Sequence, residues 1–151
     1  MAQSTYTKKS KIATGTAAAS GGTFVVDFPI PTDKGARLEA FAFLSSATSS
    51  HLANFGSLRA EYVVENKNGT VTASTTSTGS ANPLNSNTAG EAAAHVECSD
   101  AGFNNAGGGT FATAVWTISG TNARLTVTNN STTSIVANVT VEIIARIVGS
   151  T

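Results

Sequence analysis

The chain has 151 residues, enough to close one hydrophobic core without staples. Its nine basic and nine acidic residues cancel, so no net field gathers nucleic acid or an anionic membrane. Charged residues are only 12% of the chain, so Ser, Thr, Asn, Ala and Gly fill its surface, and the lone Cys98 excludes an intrachain disulfide.

Residues 1–21 are Ser, Thr, Lys, Ala and Gly with almost no large apolar side chain. Such a segment cannot bury enough surface to offset the entropy lost on ordering alone, which predicts an extended N-terminal arm over 1–21 and a separate domain over 22–151. The arm also lacks the compact leucine-rich stretch of a signal peptide, and no run of the sequence reaches the ~20 apolar residues of a membrane helix. A soluble product, assembled in a reducing cytoplasm, is therefore expected. Tyr6, Lys8, Lys9, Lys11 and Ile12 are the arm's candidate assembly residues. The three lysines meet no carboxylate before Asp27, yet without arginines or aromatics between them they are too few for a packaging arm. Contact with a neighbouring subunit is expected, and nucleic acid is not.

From Thr23 the pattern changes to period two. Phe24, Val26 and Phe28 alternate with Val25 and Asp27 until Pro29 and Pro31 end the run. Arg37–Leu44 alternates again, with Leu38, Ala40, Ala42 and Leu44 opposite Arg37, Glu39, Phe41 and Phe43, although a helix fits the Leu, Ala and Glu content too. Leu58–Glu65 predicts a further strand, and Asn68-Gly69 before Thr70-Val-Thr-Ala is a strong hairpin signal. Residues 74–90 and 101–109 read as long loops around a short strand near 92–98. Phe111–Ile118, Ala123–Thr128 and Ser134–Val148 then read as three antiparallel strands of one meander. In the last of them Val139, Val141, Ile143, Ala145 and Ile147 form a core row. Ile144, Arg146 and Val148 on its other face are a candidate subunit interface, because Ile144 and Val148 would otherwise be left in water. Closely spaced strands without helical patterns between them define an all-β class, an antiparallel β-sandwich or barrel.

Catalytic and metal signals are sparse. In a strand, His95 and Glu97 face away from Cys98, so the three cannot converge on one ion. No base accompanies Cys98, and Gly107–Gly109 lacks the Lys-Ser/Thr and the helix of a phosphate loop. The scattered glutamates offer no acid and base pair, and Trp116, beside Ala112, Ala114 and Ile118, is expected in the core. Neither an enzyme nor a cofactor is expected.

The stretch Ala112–Glu142 carries Trp116 on one strand, the turn Gly120-Thr-Asn122, the strand Leu125-Thr-Val-Thr128 and a Val-rich strand through Val136, Val139 and Val141. In this it resembles the closing segment of small structural proteins of tailed bacteriophages. The resemblance implies a virion protein, either a head decoration protein of jelly-roll type or a tail or fibre module. In the first case the partners would be copies of the chain, with a trimer favoured, and the major capsid protein or other virion proteins. In the second, the long loops would contact a host-surface receptor, for which one Trp and two Tyr make a thin glycan platform.

Overall fold

The computed structural model describes residues 6–46, 55–73, 95–98, 112–130 and 136–149, and over them the chain forms strands and no helix. In chain order these are β1 (Tyr6–Ala17), β2 (Gly22–Pro29), β3 (Lys34–Ser46), β4 (Phe55–Lys67), β5 (Thr70–Ala73), β6 (His95–Cys98), β7 (Ala112–Ser119), β8 (Asn122–Asn129) and β9 (Ala137–Gly149). Six of them build a larger sheet in the order β1-β9-β3-β4-β5, with β6 also on β4, and the smaller sheet runs β2-β8-β7. Every pairing is antiparallel. The fold is an antiparallel β-sandwich.

The period-two rows explain how it closes. Leu38, Ala40, Ala42 and Leu44 of β3 lie buried beside Val139, Val141, Ile143 and Ala145 of β9. Val26 and Phe28 of β2, Leu125 and Val127 of β8, and Ala114 and Trp116 of β7 cover them from the smaller sheet. Two hairpins have the backbone their sequences require. Asn68 (φ 52°) and Gly69 (φ 85°) both lie in the left-handed region, as a type I′ turn demands. Gly120 (φ 60°) takes the first turn position between Ser119 and Asn122, a place that suits glycine.

The structure corrects the sequence reading in three places. First, β9 does not continue a meander from β8; it crosses to the larger sheet and pairs with β1 and β3. Length decides this, because the 13-residue β9 has an inward row that the 8-residue β8 is too short to match, whereas β3 has 13 residues and β1 has 12. Second, Tyr6–Ala17, expected within an extended arm over 1–21 that reaches a neighbouring subunit, is the edge strand β1, paired along its whole length with β9. An edge strand needs only main-chain hydrogen bonds and small inward side chains, and β1 supplies Ala13, Gly15 and Ala17 there. The Phe24 ring fills the place where a Cβ on Gly15 would stand. Third, Ile118 lies at the open end of β7 and is exposed, although it shares the Trp116 face.

The pairing of first strands with last ones, β1 with β9 and β2 with β8, wraps the chain ends together in the manner of a jelly roll. The direct β3-β4-β5 succession within one sheet makes the division six strands and three. The expected loops 74–90 and 101–109 lie outside the described residues, as does His51, and so do the side chains of His95, Glu97 and Cys98.

Candidate functional site

Alternation leaves the larger sheet with one continuous outward face, and the register arranges it in rows across β1, β9, β3 and β4. One row is Ile12, Glu142, Phe41, Arg59 and the next Ser10, Ile144, Glu39, Glu61. The third is Lys8, Arg146, Arg37, Val63, and the fourth Tyr6, Val148, Gly35, Glu65. Two of these rows juxtapose like charges, Glu39 with Glu61 and Arg37 with Arg146 and Lys8, which alone would destabilise the sheet.

Diagonal contacts compensate them. Arg146 Nη1 donates to Glu39 Oε1 at 3.2 Å, and Arg37 Nη2 donates to Glu61 Oε2 at 3.3 Å. Arg59 Nη2 donates to Glu61 Oε1 at 2.6 Å and stands 3.9 Å from Glu39 Oε2. Its guanidinium lies over the Phe41 ring, 5.9 Å from the centroid, while its buried Nε has no hydrogen-bond partner. The carboxylates are the sheltered members: the Glu39 and Glu61 side chains are 15% and 23% exposed, against 56%, 39% and 40% for Arg37, Arg59 and Arg146. The face therefore shows water its guanidinium groups, with Tyr6, Ile12, Phe43, Val63 and Val148 exposed around them.

The two sets of residues chosen from the sequence meet on this face. Tyr6 lies opposite Val148, Lys8 opposite Arg146, and Ser10 separates Lys8 from Ile12 beside Ile144. Ile144 itself is half-buried, while Val148 is exposed. Lys9 and Lys11 point the other way, and Lys11 Nζ donates to the Asp27 carbonyl at 2.6 Å. Sequence reasoning missed Arg37, Glu39, Arg59, Glu61, Val63 and Gly35. Their outward alternation was visible, as Arg37-x-Glu39-x-Phe41 and Arg59-x-Glu61-x-Val63, but only the β3–β4 register makes them neighbours.

Beyond this face, Asp27 and Arg124, opposite each other on β2 and β8, form a two-pronged pair at 2.7 and 2.8 Å. The Arg124 hydrogen bond holds the Asp27 carboxyl below its ordinary range against the opposing pull of burial, with the charges of Arg124 and Lys11 adding to it. Burial pushes the Tyr62 phenol up. Among the described residues no three His, Cys, Asp or Glu side chains gather as a metal centre.

Fold and face together define a β-sandwich with a charge-compensated, partly apolar sheet surface. No protein-family model and no curated protein matches the sequence. Among solved structures the chain is similar to the tailspike protein of Acinetobacter baumannii phage AM24, with 11% identity and a TM-score of 0.42. The match covers 95% of this chain and 26% of that one, so the chain spans about a quarter of the tailspike's length.

Proposed function

We propose that this chain is a non-catalytic structural subunit of a tailed-bacteriophage particle, a decoration protein that stabilises the head by laying the outer face of its larger sheet on neighbouring subunits. The observation that carries the reading is that face. With strands ~4.8 Å apart and ~3.3 Å per residue, five strands of up to 13 residues present roughly 20 by 40 Å, about the ~800 Å² that each partner contributes to a standard interface. Glu39 and Glu61 are already paired with Arg37, Arg59 and Arg146 within the sheet, so covering the face strands neither of these two carboxylates, and the exposed Tyr6, Ile12, Val63 and Val148 gain by leaving water. The resemblance of Ala112–Glu142 to phage structural proteins supplies the particle. Its partners are then copies of the chain and the major capsid protein.

The test is location. Particles carrying an epitope-tagged copy, imaged after gold labelling, should show label over the head, and purified protein should bind tag-free heads that lack it. Label confined to the tail would replace this reading with that of a tail or fibre module that meets a host receptor. A particle without label would remove both.

A further inference from the structure

We infer that the outer face holds a docking groove at Gly35 for an extended, acidic segment of a partner protein, one that carries carboxylates beside apolar side chains. The inference deepens the decoration reading and rests on it for the partner being another particle protein.

One outward position in the groove has no side chain. Gly35 sits in register between Val148 and Glu65, and a Cβ added there would come no closer than 3.8 Å to the Val64 carbonyl oxygen and 3.9 Å to that of Val148. The depression around it has a volume of about 650 Å³. Tyr6 and Val148 line one side of it and Val63 the other, all three of them exposed. Across β1 to β4 it runs three strand spacings, ~14 Å, the length of four to five extended residues.

Charge complementarity names the occupant. Arg37 and Arg146 line the groove, and Lys8 continues their row at its edge. The carboxylates that pair with the two arginines, Glu39 and Glu61, lie in the next row away from the groove and are the more buried partners. What the groove meets is therefore a line of cations, whose planar guanidinium groups match carboxylates in paired hydrogen bonds. Glu65 stands on the far side, accepting from Thr72 Oγ1 at 3.5 Å, and repels a carboxylate there, which gives the site a direction. An acidic polysaccharide would satisfy the cations but lay hydroxyls on Val63 and Val148. A peptide that is both acidic and apolar uses both parts.

The test uses the whole protein and fluorescence anisotropy of a labelled six-residue peptide of alternating Glu and Leu. A Lys-Leu peptide, a Glu-Ser peptide and polysialic acid serve as comparison probes. The Glu-Leu peptide should bind and the others should bind at least tenfold more weakly. Arg37→Ser should weaken Glu-Leu binding about tenfold, the size of one charge-assisted hydrogen bond. Gly35→Val should abolish it while leaving the thermal midpoint unchanged or raised, since valine suits a strand and its Cβ would meet only ordinary van der Waals contacts there. Binding is read on the isolated protein and decoration on the particle, so failure of one is distinguishable from failure of the other. Equal binding of polysialic acid or Glu-Ser, Glu-Leu binding that survives Gly35→Val, or no binding of any probe would overturn the inference.

Discussion

Truncating Trp116 to alanine should remove about 3–5 kcal/mol of stability, the range for deleting a buried aromatic ring. The side chain is 2% exposed, its ring stacks on Tyr62 with centroids 5.8 Å apart and planes 6° from parallel, and Nε1 donates to the Ala60 carbonyl at 3.3 Å. An aromatic of this size buries roughly 150–250 Å², which at ~25 cal/mol/Å² is about 4–6 kcal/mol, an upper bound because the unfolded chain already hides part of that surface. For a chain of this length each kcal/mol moves the melting midpoint by roughly 2–4 °C, so the variant should melt about 6–20 °C lower. Trp116→Phe keeps a ring against Tyr62 but loses the hydrogen bond, and should lose about 1–2 kcal/mol. Urea unfolding followed by far-ultraviolet circular dichroism measures both variants, and the sole tryptophan reports the same transition in the parent by fluorescence. A Trp116→Ala loss below about 1 kcal/mol with an unchanged urea slope would show that the β4–β7 contact does not hold the two sheets together.

Acid should expose the Asp27–Arg124 pair. A carboxyl whose folded pKa is depressed contributes stability above its unfolded value near ~3.9 and loses it as pH falls through the folded value. The urea midpoint of the parent should thus fall below about pH 4, and Asp27→Asn should be flatter in that window; parallel curves would rule the pair out as the cause. Gly15→Ala should push the Phe24 ring aside and loosen β1, read as faster tryptic cleavage at Lys8, Lys9 and Lys11; an unchanged rate would mean that Phe24 adjusts without strain. Ile144→Lys places an amine opposite Glu39, so the subunit should fold normally yet sediment as a smaller species, while the parent's association should change little with salt. A parent that sediments as a monomer at every concentration, or an oligomer that survives the substitution, would remove self-association through this face.

The parts of the fold legible in the sequence were those set by neighbours along the chain. The period-two row of the last strand placed Val139, Val141 and Ile143 in the core, the alternation of Arg37–Leu44 put Leu38 and Leu44 on one side of their run, and Asn68-Gly69 fixed one turn, because alternation and turn chemistry are local properties. The partner of β9 was not legible, since an apolar row records that a strand is covered and not by which strand. Nor was the docking of β1. Its attachment rests on main-chain hydrogen bonds and on the smallness of Ala13, Gly15 and Ala17, which a reading of apolar content counts as weakness. Asn66 and Asn129 were invisible for a related reason: each is buried because its amide donates to a carbonyl far along the chain, Ile30 at 2.7 Å and Ala17 at 3.2 Å.

The candidate face shows the same division more sharply. Ile144, Arg146 and Val148 could be named from the sequence because a strand with a complete inward row must have an outward one. The residues that give this face its character could not, since Arg37 becomes a partner of Glu61, and Arg146 of Glu39, only after β3 has chosen both of its neighbours. Shifting β4 by one residue against β3 would turn Arg59, Glu61 and Val63 into the core and Leu58, Ala60 and Tyr62 into water, so burial of the inward row enforces the outward pattern. The core therefore selects the register, and the register places the arginines beside Gly35. A substitution that leaves every outward residue intact but weakens the inward row, such as Leu38→Ala, should for this reason degrade peptide binding at the groove along with stability, whereas Gly35→Val should separate the two.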